Sequence, residues 1–126
     1  VDKKILQDIK NKLGPMVAEG TGFDQQILGL IETALLPLAQ VGCLTDLSES
    51  INENTTWGAI IKVPPFDGTS ENTLLYSNAY YAIKQYVFIV CKLQFDPPVP
   101  TLVPIFESKA DELLWRIEAA YNTPVE

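Results

Sequence analysis

The sequence predicts an all-α fold: a compact bundle of about four helices, with a long loop or small hairpin excursion between the second and third. Three observations carry this. Four stretches repeat apolar residues every three or four positions, the signature of amphipathic helices. Gly14-Pro15, Gly42 and Pro97-Pro98 stand where those stretches stop, and both residue types end helices. No strand-like alternation extends beyond the short apolar run Trp57 to Val63. At 126 residues, residues 1–126 are expected to form a single domain. With 47% hydrophobic and 20% charged residues, the composition is that of a globular protein.

The first helix is predicted over Asp2 to Leu13, where Ile5, Ile9 and Leu13 share a stripe with Leu6 beside them. Lys3, Lys4, Lys10 and Lys12 make it the only locally basic stretch. They are read as a solvated face, or as a contact for an acidic partner. Glu19 to Gly22 reads as a loop. Asp24 is placed as an N-cap, because its carboxylate can accept from the free N–H groups of a first turn. The helix it opens runs to about Val41 on a stripe of Ile27, Ile31, Ala34, Leu35, Leu38 and Val41, with Gly42 as its C′ residue. Pro37 lies inside it and is expected to bend it near Thr33, where the i−4 hydrogen bond is lost.

Thr45 to Asn72 differs in character: Asp46, Glu49, Glu53, Asp67 and Glu71 face a single Lys62. Ile60, Ile61 and Val63 favour extended structure, Pro64-Pro65 interrupts them, and Asp67-Gly68 is a turn dipeptide. The segment, about 45–72, is read as an excursion from the helical body with a short helix or a small hairpin at its tip, and its length beyond an ordinary connection suggests a functional loop. Ser70 or Asn72 is expected to cap a third long helix reaching about Gln94. That helix is apolar nearly all round, so it is expected at the centre of the bundle. Its narrow polar stripe holds Ser77, Asn78, Lys84, Gln85 and Lys92, and also Tyr81 and Phe88. These two aromatics are candidates for contact with a second molecule, or are simply locally exposed.

The last helix is predicted from Thr101, with Pro104 in its first turn, where the missing N–H costs little. Leu102, Phe106, Ala110, Leu113, Ile117 and Ala120 form its core stripe. Glu112 and Arg116, four apart in the favourable order, contribute ~0.3–0.5 kcal/mol if exposed. Trp115 points roughly opposite Leu113, beside Ser108, Asp111 and Ala119. A tryptophan away from the core stripe marks a docking surface, unless the 45–72 excursion folds back over it.

Composition excludes several functions. The net charge of −7 argues against a free-standing nucleic-acid binder. No His is present, and no phosphate-binding glycine loop, nucleophile elbow or Cys/His metal set occurs. Glu107, Asp111, Glu112 and Glu118 are read as a solvated helix face, not a metal site. No enzyme, cofactor or metal is expected. Cys43 and Cys91 sit in apolar contexts and are read as buried thiols of a reducing compartment, with a disulfide as the lesser alternative. The N-terminus has no apolar signal region, and Tyr86 to Cys91 is far short of the ~20 residues that span a bilayer. No membrane is expected as a partner.

The order of pieces resembles the head–tail connector (adaptor, head-completion) proteins of tailed bacteriophages, of the type in phages and prophages of Gram-positive bacteria. Three stretches carry the resemblance. The first is Ile5–Leu13 followed by Phe23-Asp24 and an apolar helix ending Gln40-Val41-Gly42. The second is Thr56-Trp57 after an acidic stretch. The third and most specific is Ile83 to Leu93, then Gln94-Phe95-Asp96-Pro97-Pro98, then Glu112-Leu113-Leu114-Trp115-Arg116-Ile117. Pro64 to Asn72 is longer and richer in proline than the family pattern. No long C-terminal arm of the kind some relatives use to grip the portal is expected.

The resemblance implies a structural neck protein of the virion, assembled in the bacterial cytoplasm. It implies a ring, usually of twelve subunits, under the portal protein, extending the channel through which genomic DNA passes without sequence recognition. Its partners would be itself, the portal, and a head-closure (stopper) or tail-completion protein. The candidate interface residues are Trp115, Tyr81, Phe88, Trp57 and Arg116. Two rival functions remain open: a tail-completion or head-closure protein one ring further down, and a small DNA-binding packaging factor.

Overall fold

A computed structural model describes residues 4–45, 51–62 and 70–122, with side chains for all of these but Met16, residues 70–77 and Asn122. The all-α expectation is borne out. The helices are α1 (Ile5–Leu13), α2 (Pro15–Glu19), α3 (Asp24–Val41), α4 (Trp57–Ile60), α5 (Ser70–Phe95) and α6 (Val103–Asn122). Four are long enough to build the bundle, and α2 and α4 are short. Among the described residues there is no sheet, only two isolated antiparallel bridges, Lys4 with Thr56 and Leu44 with Ile61. The expected Pro64-Pro65 interruption, the Asp67-Gly68 turn, the polar stretch at 46–50, Asp2, Lys3 and the capping side chains of Ser70 and Asn72 lie outside what is described.

Helix α5 is the centre, packed against α3, α6 and α1. Ile83, Val87 and Cys91, four apart, are fully buried, so one line of this helix faces nothing but core. Ile5 and Ile9 of α1 join it, as do Ile27, Ile31 and Leu38 of α3 and Ile117 of α6. Both cysteines are free and buried, so no disulfide forms. Gly42 closes α3 at φ 94, its N–H reaching the carbonyls of Leu38 and Ala39. A side chain is strained at that φ, which is why glycine serves there. Pro37 stands inside α3, as the sequence requires.

Four expectations are corrected. Asp24 is not the N-cap of α3. Phe23 occupies that place without a side-chain bond, and Asp24 lies in the first turn with its carboxylate turned to Lys10. Lys10 is not on a solvated face: its side chain is 5% exposed, its ammonium lies 2.8 Å from Asp24 Oδ1, and it donates to the Gly20 carbonyl at 2.7 Å. Oδ1 lies off a good hydrogen-bond line, so the Asp24 contact is an ion pair. Lys10 follows Ile9 and lies one turn beyond Leu6, on the flank of the core stripe, where the Gly20 carbonyl after α2 and the Asp24 carboxylate meet its ammonium.

Residues 51–62 do not stand off from the body. Ile5 N–H donates to Thr55 O, Thr45 N–H to Ile60 O, and Lys62 N–H to Cys43 O. Of the short helix or hairpin expected in this segment, the described residues hold the short helix, Trp57–Ile60, and Ile61 after it is extended as its β-branched type favours. The turn puts Trp57 and Ile60, three apart, on one side, and both are fully buried. Finally, α6 starts at Val103 rather than Thr101, and Leu102 is 40% exposed instead of opening the core stripe. It precedes the helix in a turn closed by Leu102 N–H on Val99 O, where the chain has left the body. Ala110, Leu113, Ile117 and Ala120 are buried as expected, and Tyr121 donates its hydroxyl to the Lys62 carbonyl.

Candidate interaction surface

A groove of about 690 Å³ runs between α5 and α6. Its floor is Leu113 with the small residues Ala79, Ala82 and Ala120. Alanines facing each other across two packed helices leave room that larger side chains would fill. Two aromatics stand at the rim, Tyr81 at 65% exposed and Trp115 at 69%. Around them α6 carries a charged row. Glu112 accepts from Arg116 at 2.9 Å and lies 3.7 Å from the Lys109 ammonium, so one carboxylate answers two cations. All three are well exposed, and each pair contributes at most ~0.5 kcal/mol to stability.

Three of the five residues singled out by sequence therefore meet in one place: Tyr81, Trp115 and Arg116. The other two do not join them. Phe88 is half-buried against the core, and the Lys12 ammonium stands 5.9 Å from its ring centroid. Trp57 is fully buried. Its indole N–H donates to Asp8 Oδ2 at 2.9 Å, and the Lys84 ammonium lies 5.9 Å from its ring. Trp57 is thus a core residue and offers no surface in this fold. Ala120 was read in the core stripe from sequence, whereas its counterparts in the floor, Ala79 and Ala82, were not singled out, although their three-residue spacing puts them on one face of α5.

The arrangement suits recognition and not bond chemistry. Burial pushes the thiols of Cys43 and Cys91 up to about 12, which keeps both protonated and unreactive. Tyr86 on α5 is raised too, first by burial and then by the Asp111 charge on α6. Among the described residues no group of three His, Cys, Asp or Glu side chains is placed to hold a metal ion. No helix among them is long and apolar enough to cross a membrane. What the groove does offer is an apolar floor, two exposed aromatics at its rim and a flank carrying Lys109 and Arg116; of these, Trp, Tyr and Arg are residue types enriched at protein-binding surfaces.

The family of phage connector proteins matches this chain over residues 5–124, nearly its whole length. No curated protein and no solved structure matches it. The chain belongs to the phage connector protein family. Connector proteins are structural proteins, not enzymes, and work in contact with portal and head–tail components.

Proposed function

We propose that this connector-family chain is the subunit of a ring, dodecameric as is usual for head–tail adaptors, that sits beneath the portal and joins head to tail. The ring extends the DNA channel, lies in the neck of the virion, and is assembled in the cytoplasm of the bacterial host. The observation that supports it best is the α5–α6 groove: an apolar trough with exposed Trp115 and Tyr81 on a folded, non-catalytic body. A lone monomer gains nothing from leaving two aromatics in water, whereas an interface recovers their burial.

The charge fits the same reading. At −7 per chain, a ring carries a strongly negative field, which keeps DNA sliding and not sticking. The packaging-factor rival loses its main support, because Lys10 is buried in an ion pair and is withdrawn from the basic face it needed.

Mixing the purified protein with portal rings and imaging the product tests the proposal. A coaxial ring added below the portal is the expected result. No added ring, together with absence of the protein from purified virions, overturns it. A ring that assembles only further down the neck moves the chain to the head-closure or tail-completion position.

A further inference from the structure

We infer that the turn joining α5 to α6, together with the first turn of α6, is a knob that seats in the α5–α6 groove of a neighbouring copy, joining copies head to tail. This rests on the ring reading above and adds which two surfaces meet. From Pro97 to Phe106 the chain carries no charge at all. Val99 is 60% exposed, Leu102 40% and Ile105 61%, so the apolar side chains of this turn point to water. Prolines at 97, 98, 100 and 104 fix φ along the turn. Leu102 N–H on Val99 O and Val103 N–H on Pro100 O tie it further. The knob is therefore shaped before contact, and little ordering entropy opposes its docking.

A second copy is the occupant that fits the groove. The groove has an apolar floor, and the charged side chains that line it are both cations, Lys109 and Arg116, in a chain of net −7. The knob has an apolar tip and an acid at each shoulder, Glu107 on one side and Asp96 on the other. Asp96 is shared with Lys92 at 3.0 Å but remains more than half exposed. Apolar tip meets apolar floor, and acidic shoulder meets cationic flank. A chain's own knob does not reach its own groove, because Ile105 and Trp115 are separated by roughly 15 Å along α6 at 1.5 Å per residue. Knob and groove are unlike patches. Their contact leaves one of each free on every pair, so it propagates until the ring closes.

Paired cysteines test this. The native thiols are fully buried, so the double variant Val99→Cys/Ala119→Cys presents one new thiol on the knob and one at the groove. Rings of it formed on portals are treated with a short bis-maleimide and run on a denaturing gel. A ladder climbing past the dimer is expected, with no ladder from either single variant. Portal-bound rings without a ladder overturn the knob-in-groove contact and leave the ring reading standing. Cross-linking of Ala119→Cys alone to the portal also overturns it, since the groove then belongs to the portal. No ring from the wild-type chain overturns both. Ile105→Glu provides a second reading: at least tenfold less ring formation with an unchanged melting curve is expected, and wild-type assembly counts against the knob.

Discussion

The two tryptophans of this chain mark two regions built on opposite terms. Trp57 is fully enclosed, its indole N–H is satisfied by Asp8, and the segment that carries it is bonded to α1 and to the end of α3. Around it, polar groups find partners inside the chain: Asp8 has Trp57 and the more distant Lys12, and Lys10 has Asp24 and Gly20. Trp115 is 69% exposed on the far side of α6, above a groove that nothing in the described chain fills. The first region is complete by itself. The second has a floor, a rim and a charged flank left open to solvent, the surface we propose a second molecule covers. Residue type does not separate a buried tryptophan from an exposed one; the partners that the fold brings to each do.

The comparison breaks most clearly at Trp57. Trp57→Ala removes a fully buried indole and strands the Asp8 carboxylate, and is expected to cost ~3–5 kcal/mol in urea unfolding. A loss below ~1 kcal/mol would show that the enclosed region is not enclosed. Next comes the ion pair. Asp24→Ala leaves the Lys10 ammonium, 5% exposed, with only the Gly20 carbonyl, and is expected to cost about 3 kcal/mol by the same measurement.

A smaller effect follows from the core thiols. Cys43 and Cys91 are raised from 9.0 to about 12, so the folded chain keeps protons that the unfolded chain releases above pH 9. Stability from this source is intact below pH 9 and declines as pH rises toward 12. Urea midpoints between pH 8 and 11 should fall, and fall less steeply in Cys91→Ala. An identical slope in that variant rules the thiol out as the cause. The smallest effect on the fold is expected at Trp115. Trp115→Ala should shift monomer stability by less than ~0.5 kcal/mol while abolishing ring assembly on portals. A variant that unfolds outright would put Trp115 with Trp57.

Much of the fold was legible because helix periodicity and helix ends are local properties. The third long helix declares itself central by being apolar nearly all round, and Gly42 declares an end because it enters the left-handed region without the cost a side chain adds. Trp115 was legible as surface for the same reason, since its angle to Leu113 follows from 3.6 residues per turn. Trp57 was not. Its neighbours Ile60 and Ile61 read as extended, and its partner Asp8 lies 49 positions away. Leu102 was misplaced because its periodicity is sound but the helix that would use it starts one residue later.

By itself, then, the sequence determined the all-α class, the four long helices, the face of α6 that holds Trp115, and the family pattern that residues 5–124 satisfy. Only the tertiary structure decided that Lys10 is buried, that Trp57 belongs to the core, and that Tyr81, Trp115 and Arg116 share one groove. The physical reason is range. Dihedral preference and amphipathic spacing act within a few residues, whereas burial and pairing depend on which distant segments the chain brings together.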